Sequence, residues 1–247
     1  MNIQKTIYQS IAVTTLLFTS ISASAGLVYS NDFDGNEFEA SGISSTLSGG
    51  NIEGVQGFSA LTGFNGNFLR NSSLGNPASS TTFSFTGLGD HTSISIEGLL
   101  AVIDSWDSSN GSCCSPDLLG IKVDGTLITS ATFTLASGRI NDMFGTSLTG
   151  GAASASTATN YGFNNVFADQ AFNFSGYAPL TDIAHTASTL TVEFFAYGAG
   201  WQGGSDESYA LENISISTNG VDVPEPSTLA IFALGVLGLA SRRFKNT

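Results

Sequence analysis

The sequence predicts an all-β protein: an antiparallel β-sandwich, jelly-roll-like, with an N-terminal signal peptide before it and a single hydrophobic helix after it. Three observations predict this. Between Gly26 and Val223 the apolar residues recur in short alternating runs, and helical spacing is nearly absent. Turn-forming residues punctuate those runs, as in Gly49-Gly50-Asn51. Two of the runs are joined by Asp124-Gly125, the strongest short-range hairpin signal.

Taken in chain order, Met1 to Ala25 reads as a secretory signal peptide. Lys5 is its only charge, Ile11 to Ile21 is apolar with interspersed Ser and Thr, and Ala23-Ser24-Ala25 offers a small-residue cleavage site. The mature chain is therefore expected to begin at Gly26. Leu27 to Phe33 reads as the first strand, and Ile52 to Phe58 and Phe64 to Leu69 as short strands around Gly63 and Gly66. Thr81 to Phe85 alternates, with Phe83 and Phe85 on one face. His91 to Glu97 alternates and runs through a bend at Gly98 into Leu99 to Ile103.

Leu119 to Val123 and Thr126 to Leu135 flank the Asp-Gly turn, and Gly150 to Thr159 reads as a loop or weakly ordered insert. Phe163 to Phe174 is aromatic but irregular. Thr189 to Tyr197 places Leu190, Val192, Phe194 and Ala196 on one face and Thr191, Glu193, Phe195 and Tyr197 on the other. Tyr209 to Ser217, apolar at Leu211, Ile214 and Ile216, closes a domain of residues 26–222. About ten strands in one domain point to the sandwich.

The chain carries 20 acidic and 7 basic residues, a formal charge of −13. Between Gly26 and Val223 the basic residues are Arg70, Lys122 and Arg139. So acidic a surface repels phosphate backbones, which argues against nucleic acid as a partner and suits divalent cations or neutral sugars. The two cysteines, Cys113 and Cys114, are adjacent and cannot staple distant elements. An oxidised loop, a strained vicinal disulfide and intermolecular pairing all remain open for them. There is no Gly-x-Ser-x-Gly elbow, His-Glu-x-x-His or P-loop. His91 and His185, far apart in sequence, read as surface residues rather than a metal site.

The tail carries the clearest message. In Val223-Pro224-Glu225-Pro226 each proline fixes φ and removes a donor, so the segment is extended and accessible. Leu229 to Ala240 is uncharged, and Arg242, Arg243 and Lys245 come after it. The run is shorter than the ~20 residues that span a bilayer. Counting from Ser227 and letting the arginines snorkel brings it close to spanning length. This order of parts resembles the PEP-CTERM sorting signal of Gram-negative bacteria. The resemblance implies recognition by an exosortase, a membrane-embedded cysteine protease that removes the helix. It also implies export through the inner membrane, transient anchoring, and delivery to the cell surface or extracellular matrix of biofilm-forming species.

Two segments stand out within the domain. Ile103-Asp104-Ser105-Trp106-Asp107 comes just after a predicted strand, and Gly200-Trp201 through Asp206-Glu207-Ser208-Tyr209-Ala210-Leu211-Glu212-Asn213-Ile214 leads into the last one. With Lys122-Val123-Asp124-Gly125 they resemble a jelly-roll module of bacterial surface proteins, similar to carbohydrate-binding or laminin-G-like sandwiches. Glu212 stands where that module usually has aspartate, and Tyr209 where it has tryptophan. Trp106, Trp201 and Tyr209 are thus candidates for a sugar-stacking platform. Asp206, Glu207 and Glu212, with Asp32 and Asp34 near the first strand, are candidates for a calcium site, since Ca2+ prefers oxygen ligands. The same residues can instead be core plugs and turn caps. A non-catalytic binding or structural protein is the leading expectation. The alternative is a secreted carbohydrate-active hydrolase using a carboxylate pair across a cleft.

Overall fold

The computed structural model describes residues 25–108, 114–133, 144–148, 160–163 and 167–220. The expected signal peptide as far as residue 24, Cys113 and with it the pairing of the two cysteines, the loop expected at Gly150–Thr159, and the tail beyond Gly220 with its hydrophobic run lie outside these residues. The first strands are β1 (Ala25–Asn31), β2 (Glu37–Glu39), β3 (Ser44–Ser48), β4 (Asn51–Gly54) and β5 (Asn67–Asn71). Next come β6 (Thr81–Thr86), β7 (Ser93–Asp104), β8 (Leu118–Val123) and β9 (Thr126–Thr132). The last are β10 (Thr146–Ser147), β11 (Gln170–Asn173), β12 (Ile183–Ala184), β13 (Thr189–Tyr197) and β14 (Glu207–Asn219).

They form two antiparallel sheets, which confirms the predicted fold class. The larger runs β10-β11-β7-β14-β1-β2, with β5 also pairing β14, β4 pairing β5, and β12 pairing β7. The smaller runs β3-β6-β13-β8-β9. β14 organises the larger sheet. One of its sides is lined by β7, and the other by β5 near Tyr209 and by β1 from Ile214 onward.

The two sheets face each other across an aromatic core. Tyr29 of the larger sheet meets Phe83 and Phe85 of the smaller edge-on, at 6.1 and 5.1 Å between ring centroids. Alternation along β7 sends Ile94, Ile96, Leu100 and Val102 into this core. Leu99, Ala101 and Ile103 go instead to a second apolar cluster on the sheet's outer side, with Phe58, Phe64 and Phe68. A strand buried on both faces reads as a continuous apolar run, which is what Leu99 to Ile103 shows.

Several boundaries shift, each for a physical reason. Ile52 to Phe58 is not one strand: β4 ends at Gly54, and Gln56–Ala60 is a 3-10 turn. Val55 at its N-cap and Phe58 within it are both buried and three apart, the spacing of a 3-10 turn rather than of a strand. Phe64 precedes β5 and fills the outer cluster. Gly98 does not break β7. The irregularity falls on the partner strand, between Glu212 and Ser215 of β14, where Asn213 takes φ 51. Across this bulge the buried apolar positions slip from Tyr209 and Leu211 to Ile214 and Ile216. A Cβ on Gly98 would lie 2.7 Å from Ile214 Cδ1 and 2.9 Å from Phe174 Cζ, so the bulge packs where only glycine fits. The Asp124-Gly125 turn forms as read, with φ of 48 and 76, the type I′ signature.

Candidate functional site

β7 ends and β14 begins at the same end of the sandwich, because Asp104 pairs with Glu207. Residues 105–108 and 114–117, between β7 and β8, meet residues 198–206, between β13 and β14, at this end. They are tied by Ser105 N donating to Asp206 O (2.9 Å), Asp117 N to Asp107 O (2.8 Å) and Gly200 N to Pro116 O (3.2 Å). The approach is tight: a Cβ on Gly200 would stand 2.1 Å from Cys114 O and 2.5 Å from Asp117 Oδ1.

The structure brings the two tryptophans together here, 5.2 Å apart and edge-on. They do not form a sugar platform. Trp106 is 1 % exposed, and its Nε1 donates to Ser208 O at 2.8 Å while its ring meets Phe133. Trp201 is 6 % exposed, with Nε1 donating to Ser73 O at 3.2 Å. Tyr209 is fully buried between the sheets, and its hydroxyl donates to Phe194 O at 2.7 Å. All three rings plug the core. A buried indole or phenol needs a partner for its polar atom, and each has found a backbone carbonyl.

Six acids lie at this end of the sandwich: Asp104, Asp107, Asp117, Asp169, Asp206 and Glu207. Asp117 Oδ2 accepts Asp107 N (2.5 Å). Glu207 Oε2 accepts Gln202 N (2.8 Å) and Gly203 N (3.4 Å). Asp169 accepts Asp104 N (3.0 Å) and Tyr161 N (2.6 Å). Asp117, Glu207 and Asp169 thus terminate loop backbones. Both oxygens of Asp104, Oδ1 of Asp117 and Oγ of Ser108 are buried without a hydrogen-bond partner.

Burial pushes Asp104 up to about 7, with the charge of Asp169 adding to it and Arg70 opposing it. Burial likewise lifts Asp117 to about 7, against the Asp107 N–H and helped by Glu207, Asp107 and Asp206. Glu207 rises to about 7 through burial, against the N–H groups of Gln202 and Gly203. Asp169 is also raised by burial. A carboxyl that cannot be solvated keeps its proton. Asp104, Asp117, Asp169 and Glu207 are all nearly inaccessible.

The acids expected to share one calcium site separate into two places. Asp206 and Glu207 belong to this end. Glu212 lies five residues further along β14, roughly 17 Å at ~3.4 Å per residue, where its Oε1 accepts Asn65 N at 3.4 Å. Asp32 and Asp34 are near Glu212: their charges add to the burial that pushes Glu212 up to about 8. Asp34 caps the Asn67 backbone at 2.8 Å, and Asp32 caps Asp34 and Asn36 at 3.0 and 3.1 Å. The Asn36 side-chain amide on Asp32 is the main reason that carboxyl is lowered. Among the described residues no group of three or more acidic, histidine or cysteine side chains is placed to hold a metal ion. The loops took these carboxylates as turn caps.

Sequence reasoning missed a second polar cluster. His91 and His185 are not surface residues; they are 3 % and 8 % exposed. They meet each other and Asp124 at the opposite end of β7. No local pattern could have paired them, since they lie 94 positions apart.

The folded unit closes at Gly220. Just beyond it, residues 222–243 match the family model of the PEP-CTERM protein-sorting motif. The tail is a PEP-CTERM sorting signal. The PEP-CTERM motif implies export, sorting to the cell surface and processing by an exosortase, with Val223, Pro224, Glu225 and Pro226 at its head. No curated protein sequence matches the chain. Among solved structures it aligns with dimeric latent PorU from Porphyromonas gingivalis at 14 % identity and TM-score 0.34, over 82 % of this chain and 14 % of that one. It also aligns with the infectious bursal disease virus Gt strain at 14 % identity and TM-score 0.28, over 75 % and 34 %. The chain spans 14 % and 34 % of those two chains, and at 14 % identity neither alignment assigns it a role.

Proposed function

We propose that the chain is a non-catalytic binding or structural component of the exopolysaccharide matrix, delivered there by its PEP-CTERM tail. The observation that carries this reading is the sorting motif at residues 222–243, placed directly behind a β-sandwich that closes at Gly220. The internal use of the polar groups supports it. The aromatic rings of the Trp-rich end are spent on packing, and Asp117, Asp169 and Glu207 hold loop backbones. A hydrolase needs two carboxylates facing a substrate across a groove, and the acids with raised proton affinity here are buried instead.

Intact-mass analysis of the protein recovered from the producing cells' extracellular matrix tests this directly. The expected product begins at Gly26 and ends near Pro224–Pro226, and it co-fractionates with the polysaccharide. A released protein still carrying Leu229–Thr247 overturns the exosortase reading. A correctly trimmed protein that separates from the polysaccharide overturns the matrix role alone.

A further inference from the structure

His91 and His185 form the centre of a chain of three hydrogen-bonding contacts. His91 Nδ1 lies 2.6 Å from Gly89 O. His91 Nε2 lies 2.6 Å from His185 Nδ1. His185 Nε2 lies 3.0 Å from Asp124 Oδ2. The far side of the Asp124 carboxylate is held by Thr191 N, which donates to Oδ1 at 2.8 Å. The two ring planes are within 19° of each other, with centroids 4.9 Å apart. That separation is what two coplanar imidazoles give when joined nose to nose through their nitrogens, so the contact is an in-plane N···N hydrogen bond.

Each of the three contacts needs one hydrogen. The carbonyl of Gly89 brings none, and neither does a carboxylate. Two neutral imidazoles bring one N–H each, since a neutral ring is donor at one nitrogen and acceptor at the other. Two hydrogens cannot fill three contacts. If His185 donates to both neighbours it is an imidazolium; if His91 donates to both of its partners, that ring is the imidazolium. The third hydrogen belongs on a ring nitrogen, since Asp124 is an exposed carboxylate whose Oδ1 already accepts Thr191 N. We propose that His91, His185 and Asp124 form a proton-bound clasp, which holds one hydrogen beyond those of two neutral histidines and opens when that hydrogen is lost.

The elements around the clasp carry the following charged and polar groups. Asp90 is next to His91 in the chain. Asp182, just before β12, accepts the Ser93 hydroxyl at 3.4 Å and the Asn219 side-chain amide. From β8 the cation is Lys122, which is engaged by Glu193 of β13 at 3.8 Å and lies over the Phe195 ring. β14 presents Asn219, which is uncharged.

The clasp joins three connections: 87–92, 185–188 and the β8–β9 turn. The first two also secure the end of β14. His185 N donates to Thr92 O at 3.1 Å, and Thr92 donates to Asn219 O through N at 2.9 Å and through its hydroxyl at 3.2 Å. The clasp is therefore a pH-sensitive latch on the last residues of the sandwich before the tail. A proton held in the folded state and not in the unfolded one stabilises at acid pH, and that stability is lost as pH rises.

The test uses the full-length protein. Long-range 1H–15N spectra of the histidine rings at about pH 6 should show three ring N–H hydrogens shared by His91 and His185; two would overturn the clasp. Melting temperatures at about pH 6 and about pH 9 are compared for the parent, His185→Gln and Asp124→Asn. The parent is expected to lose several degrees more than either variant over that interval. The acids of the opposite end are common to all three proteins and cancel in the difference. Parallel losses in the parent and in the variants that fold overturn the proposal. Asp124 sits in an exposed turn, so Asp124→Asn keeps the comparison available if His185→Gln does not fold.

Discussion

A tryptophan beside carboxylates at a strand end has the same appearance in sequence whether it stacks on a sugar or plugs a core. What decides is the partner of its indole N–H, and for Trp106 that partner is Ser208 O, 102 residues away. Local spacing contains no trace of it. The same holds for His91 and His185, whose burial depends on a meeting across the fold. Composition and motif therefore located the Trp-rich end of the sandwich but not the role of its side chains. The burial leads to a prediction. Trp106→Ala removes a ring that is 1 % exposed and in contact with Phe133 and Trp201, and large-to-small changes of this kind cost ~3–5 kcal/mol. Trp201→Ala, at 6 % exposure, is expected to cost less. Denaturant titration of both variants checks this, and a loss below about 1 kcal/mol for Trp106→Ala would contradict the core assignment.

Elements were far more legible than single side chains where one rule acted alone. β13 spans the residues its alternation indicates, and the Asp-Gly hairpin has the dihedral angles its turn type demands. Legibility failed where two periodicities met, as at Val55 and Phe58, and where a bulge changed the phase of β14. The loops closing the Trp-rich end add a pH dependence that their sequence does not show. Asp104, Asp117 and Glu207 are held at about 7 in the fold, against ~4 in an unfolded chain. Between those values the unfolded chain releases protons that the folded one keeps. Stability is therefore greatest below about pH 4 for these groups and declines as pH rises through about 7. Asp117→Asn cannot ionise, yet its amide oxygen can still accept the Asp107 N–H. Its melting temperature is expected to fall less than the parent's between about pH 4.5 and 8. Superimposable pH profiles for the two proteins would show that Asp117 ionises freely in the fold.

At the scale of the whole molecule, the strand that precedes the tail is also the one that completes the sheet. β14 pairs with β7, β1 and β5, and its last residue, Asn219, is in register with Ala25 at the start of β1. The beginning and end of the folded unit are thus hydrogen-bonded neighbours, and most of the larger sheet waits for the last strand to be made. Contacts so distant in sequence make folding late and cooperative. The sorting motif begins at residue 222, after the last residue of β14, so sorting and folding are separable by position. A chain that ends at Gly220 keeps every described strand and is expected to unfold in a single transition at the full-length protein's melting temperature. A chain that ends at Asp206 lacks β14. It leaves β7 and β1 without their shared partner, and Leu211, Ile214 and Ile216 are missing from the core. That shorter chain is expected to show no cooperative transition and to be digested rapidly by a nonspecific protease. If the chain ending at Gly220 were instead destabilised by several degrees, the tail would be part of the fold, and a protease that removes it could not release an intact sandwich.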